Sequence, residues 1–284
     1  MSDPVPAVTE AAATGETAEI FADIRRILGV EVVNLIWRHL AMIPGALPTA
    51  WGILRPPYAD GTITAAASAL RGELDLPRLP VLPAAALSAA GLLADDVRMI
   101  RNILAAYNKT NAMALVALSA LSLRLDGATP THEGASSHDV APPPVALGSI
   151  SLPPLPSATE LSAATAELVL TLNRFGTRRE HPILASMYRH LAYWPSYLAI
   201  TWAILAPLDA DGSLDSLIAG AVVKAQASAV HVVRSPPPSD PAIDPALAAT
   251  IRTAIEPFAG DAIAKMVVIC AVLHSVTGNA EAPA

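Results

Sequence analysis

The sequence predicts an all-α protein made of two tandem copies of one helical repeat. Three observations carry that prediction. First, Ile36–Ile63 (IWRHLAMIPGALPTAWGILRPPYADGTI) recurs without a gap as Met187–Leu214 (MYRHLAYWPSYLAITWAILAPLDADGSL), at a constant offset of 151 residues. Arg38, His39, Leu40, Ala41, Pro44, Leu47, Trp51, Ile53, Leu54, Pro56, Ala59, Asp60 and Gly61 all reappear in the second copy. Solenoid repeats run about 20–50 residues, so this longer period implies a duplicated fold with an internal pseudo-twofold axis. A site can lie where the copies meet. Second, 53% of residues are hydrophobic but only 4% are aromatic, so the core must be built from Ala, Leu, Val and Ile. Ala and Leu favour helix. Third, apolar residues recur at helical spacing and no segment alternates as a strand would.

The elements follow in order. Residues 1–17 read as a flexible tail. Ala18–Leu28 places Ile20, Phe21, Ile24, Ile27 and Leu28 on one face, and Gly29 suits a C-cap. Val32–Met42 is the next helix, interrupted by Pro44. Pro48 fits the first turn of a helix through Leu54 that the Pro56-Pro57 pair should end. Thr62–Leu74, Leu87–Leu93, Val97–Tyr107 and Ala112–Leu125 complete the first copy, with Asp95 or Asp96 as a cap. Residues 126–158 are rich in Pro, Ser and Gly and read as a linker. The second copy repeats the plan: Ala164–Arg174, Ile183–Ala192, Ser196–Leu205, Leu214–Val233, Ala246–Phe258 and Asp261–Thr277. The expected units are a first repeat over 18–127, a linker over 128–158, a second repeat over 159–278 and a tail over 279–284.

Composition excludes several functions. The net charge is −7 and no Lys/Arg run occurs, which argues against nucleic acid and anionic membranes as partners. Cys270 is the only cysteine, so no disulfide framework or thiolate metal cluster forms within the chain. That usage fits a reducing, cytoplasmic setting. The N-terminus has no basic region of the kind a secretory signal needs. Leu191–Leu208 is uncharged, but its prolines and polar residues favour a buried helix over a membrane span. Phosphate-binding glycine loops and metal-ligand motifs are absent, so no metal site is expected.

Three polar groups are candidates for chemistry. The pairs Arg38-His39 and Arg189-His190 read either as cations for a carboxylate or as inherited structural hydrogen bonds, the second being the stronger reading. Tyr107–Asn111 (YNKTN) reads as a capped loop between two helices, or alternatively as a pocket lined by amides. Ser186 follows Pro182 near a helix start, where it can cap or offer its hydroxyl to an anion.

Taken together, the segments ADIRRILGV (Ala22–Val30), VVNLIWRHLAMIPGALPTAW, AYNKTNAMALVALSAL and ASMYRHLAYWPSYL resemble the group I 2-haloacid dehalogenases, which act on D- or on both D- and L-2-haloacids. The resemblance covers nearly the whole chain. It implies an all-helical duplicated fold, a small carboxylic acid as ligand, no cofactor, and attack of an activated water on C2 with inversion. It also implies site residues. The water-positioning Asn falls on Asn111, the Ser before the catalytic carboxylate on Ser186, and two pocket aromatics on Val32 and Leu35. A further pocket Tyr falls in Val268–Val272, which contains none. The catalytic Asp falls on Met187, where family members read Ser-Asp-Phe and this chain reads Ser-Met-Tyr. A thioether cannot take a proton from water, and general-base catalysis is worth ~10²–10⁴ in rate. The repeat partner of Met187 is Ile36, so the first copy supplies no carboxylate either. His190, one helical turn on, is the substitute base the sequence offers. The expectation is a family member with lost or altered dehalogenase activity. The alternative is a non-catalytic binding protein for a small carboxylic acid. A homodimer is left open.

Overall fold

The computed structural model describes residues 5–30, 32–127, 152–233 and 243–278, and these are helical without a strand. The first copy contains α1 (Gly15–Leu28), α2 (Leu35–Leu40), α3 (Ala46–Ala59), α4 (Thr62–Gly72), α5 (Ala84–Ala89) and α6 (Ala94–Leu125). The second contains α7 (Ala163–Asn173), α8 (Ser186–Leu191), α9 (Pro195–Ala210), α10 (Ser213–Val233), α11 (Pro245–Pro257) and α12 (Ile263–Thr277), with a π-helical turn at Phe258–Ala262 joining the last two. One hydrophobic core draws on both copies. Its axis is α6, which packs against α12, α10 and α4.

Local chemistry explains the boundaries. Gly29 closes α1 in the left-handed conformation at φ +63°, its N–H donating to Arg25 O. Asp96 accepts the Leu93 N–H at 2.9 Å and so caps α6 from its third position, where the cap was expected to be the first residue. Equivalent turns start α4 and α10. Gly61 and Gly212 have φ +84° and +77°, which glycine alone adopts cheaply. The next N–H groups, of Thr62 and Ser213, each donate to an aspartate (Asp60, Asp211) at 2.8 Å.

Three expectations are corrected. Tyr107–Asn111 is not a loop but the middle of α6. Its polar groups need no break in the helix, because Thr110 Oγ1 donates to Ala106 O and Tyr107 and Asn111 find partners on other helices. The Pro56-Pro57 pair does not end its helix at Leu54, and Pro207 does not end α9 at Leu205. Each lies in a last turn, where the lost N–H is offset by carbonyls that accept the N–H of Asp60 and Asp211. Finally, residues 5–17 are not loose. Val8 N–H donates to Arg38 O, His39 Nδ1 meets Pro6 O at 2.7 Å, and Glu10 accepts the Val33 N–H while pairing with Arg25. Residues 1–4, 128–151 and 279–284, which include most of the expected linker and the C-terminal tail, lie outside the described residues.

The copies pack crosswise. The ring of His39 sits against Phe258 at 5.8 Å, and the ring of His190 against Tyr107 at 5.7 Å. His190 is His39 shifted by 151 residues, and Phe258 is Tyr107 shifted by the same amount. Among the described residues, two helices are long and apolar enough to cross a membrane, α10 and the continuous run Pro245–Thr277; the second is mostly buried inside the protein.

Candidate functional site

The short helix α8 is held from both ends of the segment that precedes it. Asn173, the last residue of α7, donates from Nδ2 to Ile183 O at 3.2 Å and accepts the Ala185 N–H on Oδ1 at 3.0 Å. The Asn173 carbonyl in turn accepts from Lys265 Nζ at 2.5 Å. Lys265 is fully buried, and burial holds its ammonium down at about 8 against the favourable fields of Asp261 and Asp209. Its equivalent in the first copy is Ala114, which lines a small cavity of about 10 Å³ with Trp37, Tyr58 and Thr110. Thus the second copy uses a buried lysine to fix α8, where the first copy has an alanine beside a small cavity.

α8 presents Ser186, Met187 and His190 to the seam between α6 and α12. Met187 is 0% exposed, and the Cys270 thiol donates to its sulfur at 3.3 Å. Asn111 Nδ2 donates to the same cysteine sulfur at 3.5 Å. Tyr107 lies one turn before Asn111 on α6, with its hydroxyl 2.8 Å from His190 Nδ1 and also bonded to Ser186. The Pro153 carbonyl works on the His190 ring against the burial that lowers it. Ser186 therefore does not cap α8; the cap position is Ala185 and makes no side-chain bond.

Burial sets the charge state. Desolvation pushes the Cys270 thiol up to about 12, raises the Tyr107 phenol, and lowers His190. At neutral pH all six groups are uncharged. Among the described residues, no carboxylate hydrogen-bonds any of them. The cluster offers hydroxyl and amide donors to a carboxylate, but no free base to a water.

Four residues expected at the site, Asn111, Ser186, Met187 and His190, are thus brought together. Val32 and Leu35 do not join them. Val32 is 64% exposed, because Glu10 holds the Val33 N–H and Val33 takes the buried position. Leu35 is half-buried at the start of α2, which packs on α3 and α11. Both Arg-His pairs do structural work: Arg38 donates to Val33 O and Arg189 to Pro156 O. Tyr107, Cys270, Asn173 and Lys265 escaped the sequence reading. Tyr107 was findable, since it stands four residues before Asn111 on one helix face. Nothing in sequence marks the other three.

No family model matches the chain. A relative from Alcaligenes xylosoxydans xylosoxydans, described as a configuration-inverting 2-haloacid dehalogenase, is 32% identical over 218 residues, which cover 73% of this chain and 71% of the relative. A mutant D-2-haloacid dehalogenase of known structure superposes with a TM-score of 0.76 at 17% identity, covering 97% of both chains. A mutant complex with D-2-CPA gives 0.69 at 18% identity, and a complex with L-LA gives 0.70 at 17%. Each of those two comparisons covers 96% of this chain and 95% of the other. At such identities the solved structures establish a shared fold.

Proposed function

Because this chain belongs to the configuration-inverting 2-haloacid dehalogenase family, we propose that it retains a pocket for a small carboxylic acid and has lost ordinary hydrolytic dehalogenation. One observation carries this reading. Met187, which the sequence resemblance sets where the family's general base would stand, is a fully buried thioether in contact with the Cys270 thiol. A water there would find no group able to take its proton, and general-base catalysis commonly contributes ~10²–10⁴ in rate. Ser186 and Asn111 supply donors for a carboxylate in surroundings that are otherwise apolar. The lone buried thiol is consistent with a reducing cytoplasm.

The test is halide release from both enantiomers of 2-chloropropionate. Native protein is expected to give only background, while both acids raise its Tm and Ser186→Ala removes that shift. Met187→Asp is expected to increase halide release by ~10²-fold or more. Halide release by native protein that Asn111→Ala abolishes would defeat the proposal.

A second reading draws on the Ser186–Tyr107–His190 chain of hydrogen bonds. In it His190 accepts a proton through the Tyr107 hydroxyl, and activity falls as pH drops through the His190 titration. Loss of native halide release in both Tyr107→Phe and His190→Gln would select it.

A further inference from the structure

On the α4 side of the α6–α12 seam lies an open cavity of about 440 Å³, lined by Arg71, Leu76, Val81, Asn108, Ala271, His274, Ser275 and Gly278. No residue of α7, α8 or α9 contributes to it, so it is not the Met187 cluster. Its charge is one-sided. Arg71, at the end of α4, and His274, on α12, line it directly. Lys109 on α6 lies within the field of Arg71. Arg101 donates to Thr277 O, and one of its terminal nitrogens stands 3.4 Å from the position a Cβ on Gly278 would take. None of the eight lining residues is acidic. In a chain of net charge −7, Arg71, Lys109 and Arg101 thus gather here with no carboxylate among the lining residues.

Two polar groups here, on Arg71 and Asn108, lack the partners that buried groups normally have, and the exposed Ser275 adds a free acceptor. Arg71 Nε is buried with nothing to donate to, and no ion pair among the described residues uses its guanidinium. Asn108 is 8% exposed, and its Oδ1 has no donor. Ser275 Oγ gives its hydrogen to Val272 O at 2.7 Å, which leaves its lone pairs free to accept. Burial, and then the Arg71 charge, hold both Lys109 and His274 below their usual values.

We propose that this cavity is a second binding site, for a small carboxylate that bears a hydroxyl group. The carboxylate answers the Arg71 guanidinium and the Arg101 and Lys109 charges around it, with the His274 imidazole alongside. The hydroxyl donates to Asn108 Oδ1 or Ser275 Oγ. Leu76, Val81 and Ala271 cover the carbon skeleton, which favours an organic acid over an inorganic ion. The inference is independent of the reading of Met187, since the two sites share no residue.

The experiment is an NMR titration of the His274 imidazole in full-length protein, with D- and L-lactate, propionate, phosphate and chloride as probes. Lactate is expected to bind at millimolar concentration and to raise the His274 pKa, because an anion beside it favours the imidazolium. Propionate, lacking the hydroxyl, should bind at least ~10-fold more weakly. Arg71→Met should abolish the response, Arg71→Lys should restore part of it, and Ser186→Ala should leave it intact, which separates this site from the other. Circular dichroism identifies any variant that fails to fold, and Asn108→Ala, expected to narrow the lactate–propionate difference, then serves as the second variant. No response to lactate, a response that survives Arg71→Met, or equal binding of lactate, propionate and chloride would overturn the proposal.

Discussion

At the scale of single residues, the informative contacts are those a sequence hides. Met187 and Cys270 are 83 positions apart and touch through sulfur. Spacing along the chain cannot announce such a pair, whereas the Ser-Met-Tyr triplet shows on its own that position 187 carries a thioether. Tyr107→Phe removes the hydroxyl 2.8 Å from His190 Nδ1. Burial, the main cause of that histidine's lowering, is unchanged, so it should still titrate below its ordinary value while stability falls by about 1 kcal/mol, as urea unfolding followed alongside NMR would record. Asp23 makes a parallel case on the other side of the molecule. It accepts from Arg55 Nε at 2.7 Å and Trp51 Nε1 at 2.9 Å and pairs with Arg26, and these partners, Arg55 foremost, draw its carboxyl down to about 2. The folded pKa lies below the unfolded value, so its contribution is complete above pH ~4 and disappears as pH falls toward 2. Asp23→Asn should cost roughly 1–2 kcal/mol at pH 7 and nothing near pH 2, after allowance for partial exposure. Trp51 itself shows the limit of reading identities. Its repeat counterpart Trp202 is 46% exposed, because the position matching Asp23 is Arg174, which offers that indole no acceptor.

Among the elements, periodicity marked most helices correctly and erred where polar or proline residues lay inside them. α6 passes straight through Tyr-Asn-Lys-Thr-Asn because α8 and α12 give Tyr107 and Asn111 partners and Thr110 bonds back to Ala106 O, information that local sequence does not contain. α12 carries the opposite surprise, a lysine within an apolar helix. Lys265 donates to Asn173 O and feels Asp261, whose Oδ2 is buried without a hydrogen-bond partner. Removing the lysine alone leaves that carboxylate uncompensated. Lys265→Met is therefore expected to destabilise by about 3 kcal/mol, and adding Asp261→Asn should recover at least ~1 kcal/mol of it. The folded pKa of Lys265 lies below its unfolded value, so the unfolded chain binds the extra proton. Stability at this residue should rise between pH ~8 and ~10.5, a gain absent from Lys265→Met in the same unfolding series.

For the molecule as a whole, duplication was legible and its asymmetry was not. The repeated block located α2 to α4 and α8 to α10 and paired their turns at Gly61 and Gly212. It did not reveal that each copy's histidine leans on the other copy's ring, or that only one of those rings carries a hydroxyl. Since α6, α10, α4 and α12 share one core, residues 18–127 and 159–278 expressed separately should each lack a cooperative thermal transition, and mixing them should restore one. Cys270 turns that shared core into something an experimenter can time. It is the sole thiol in the chain, it is wholly enclosed where α6, α8 and α12 meet, and its proton is held too tightly for native-state alkylation. A thiol reagent can reach it only when the halves part. Its labelling rate is then a clock for breathing of the duplicated fold, and any ligand seated at that seam should make the clock run slower.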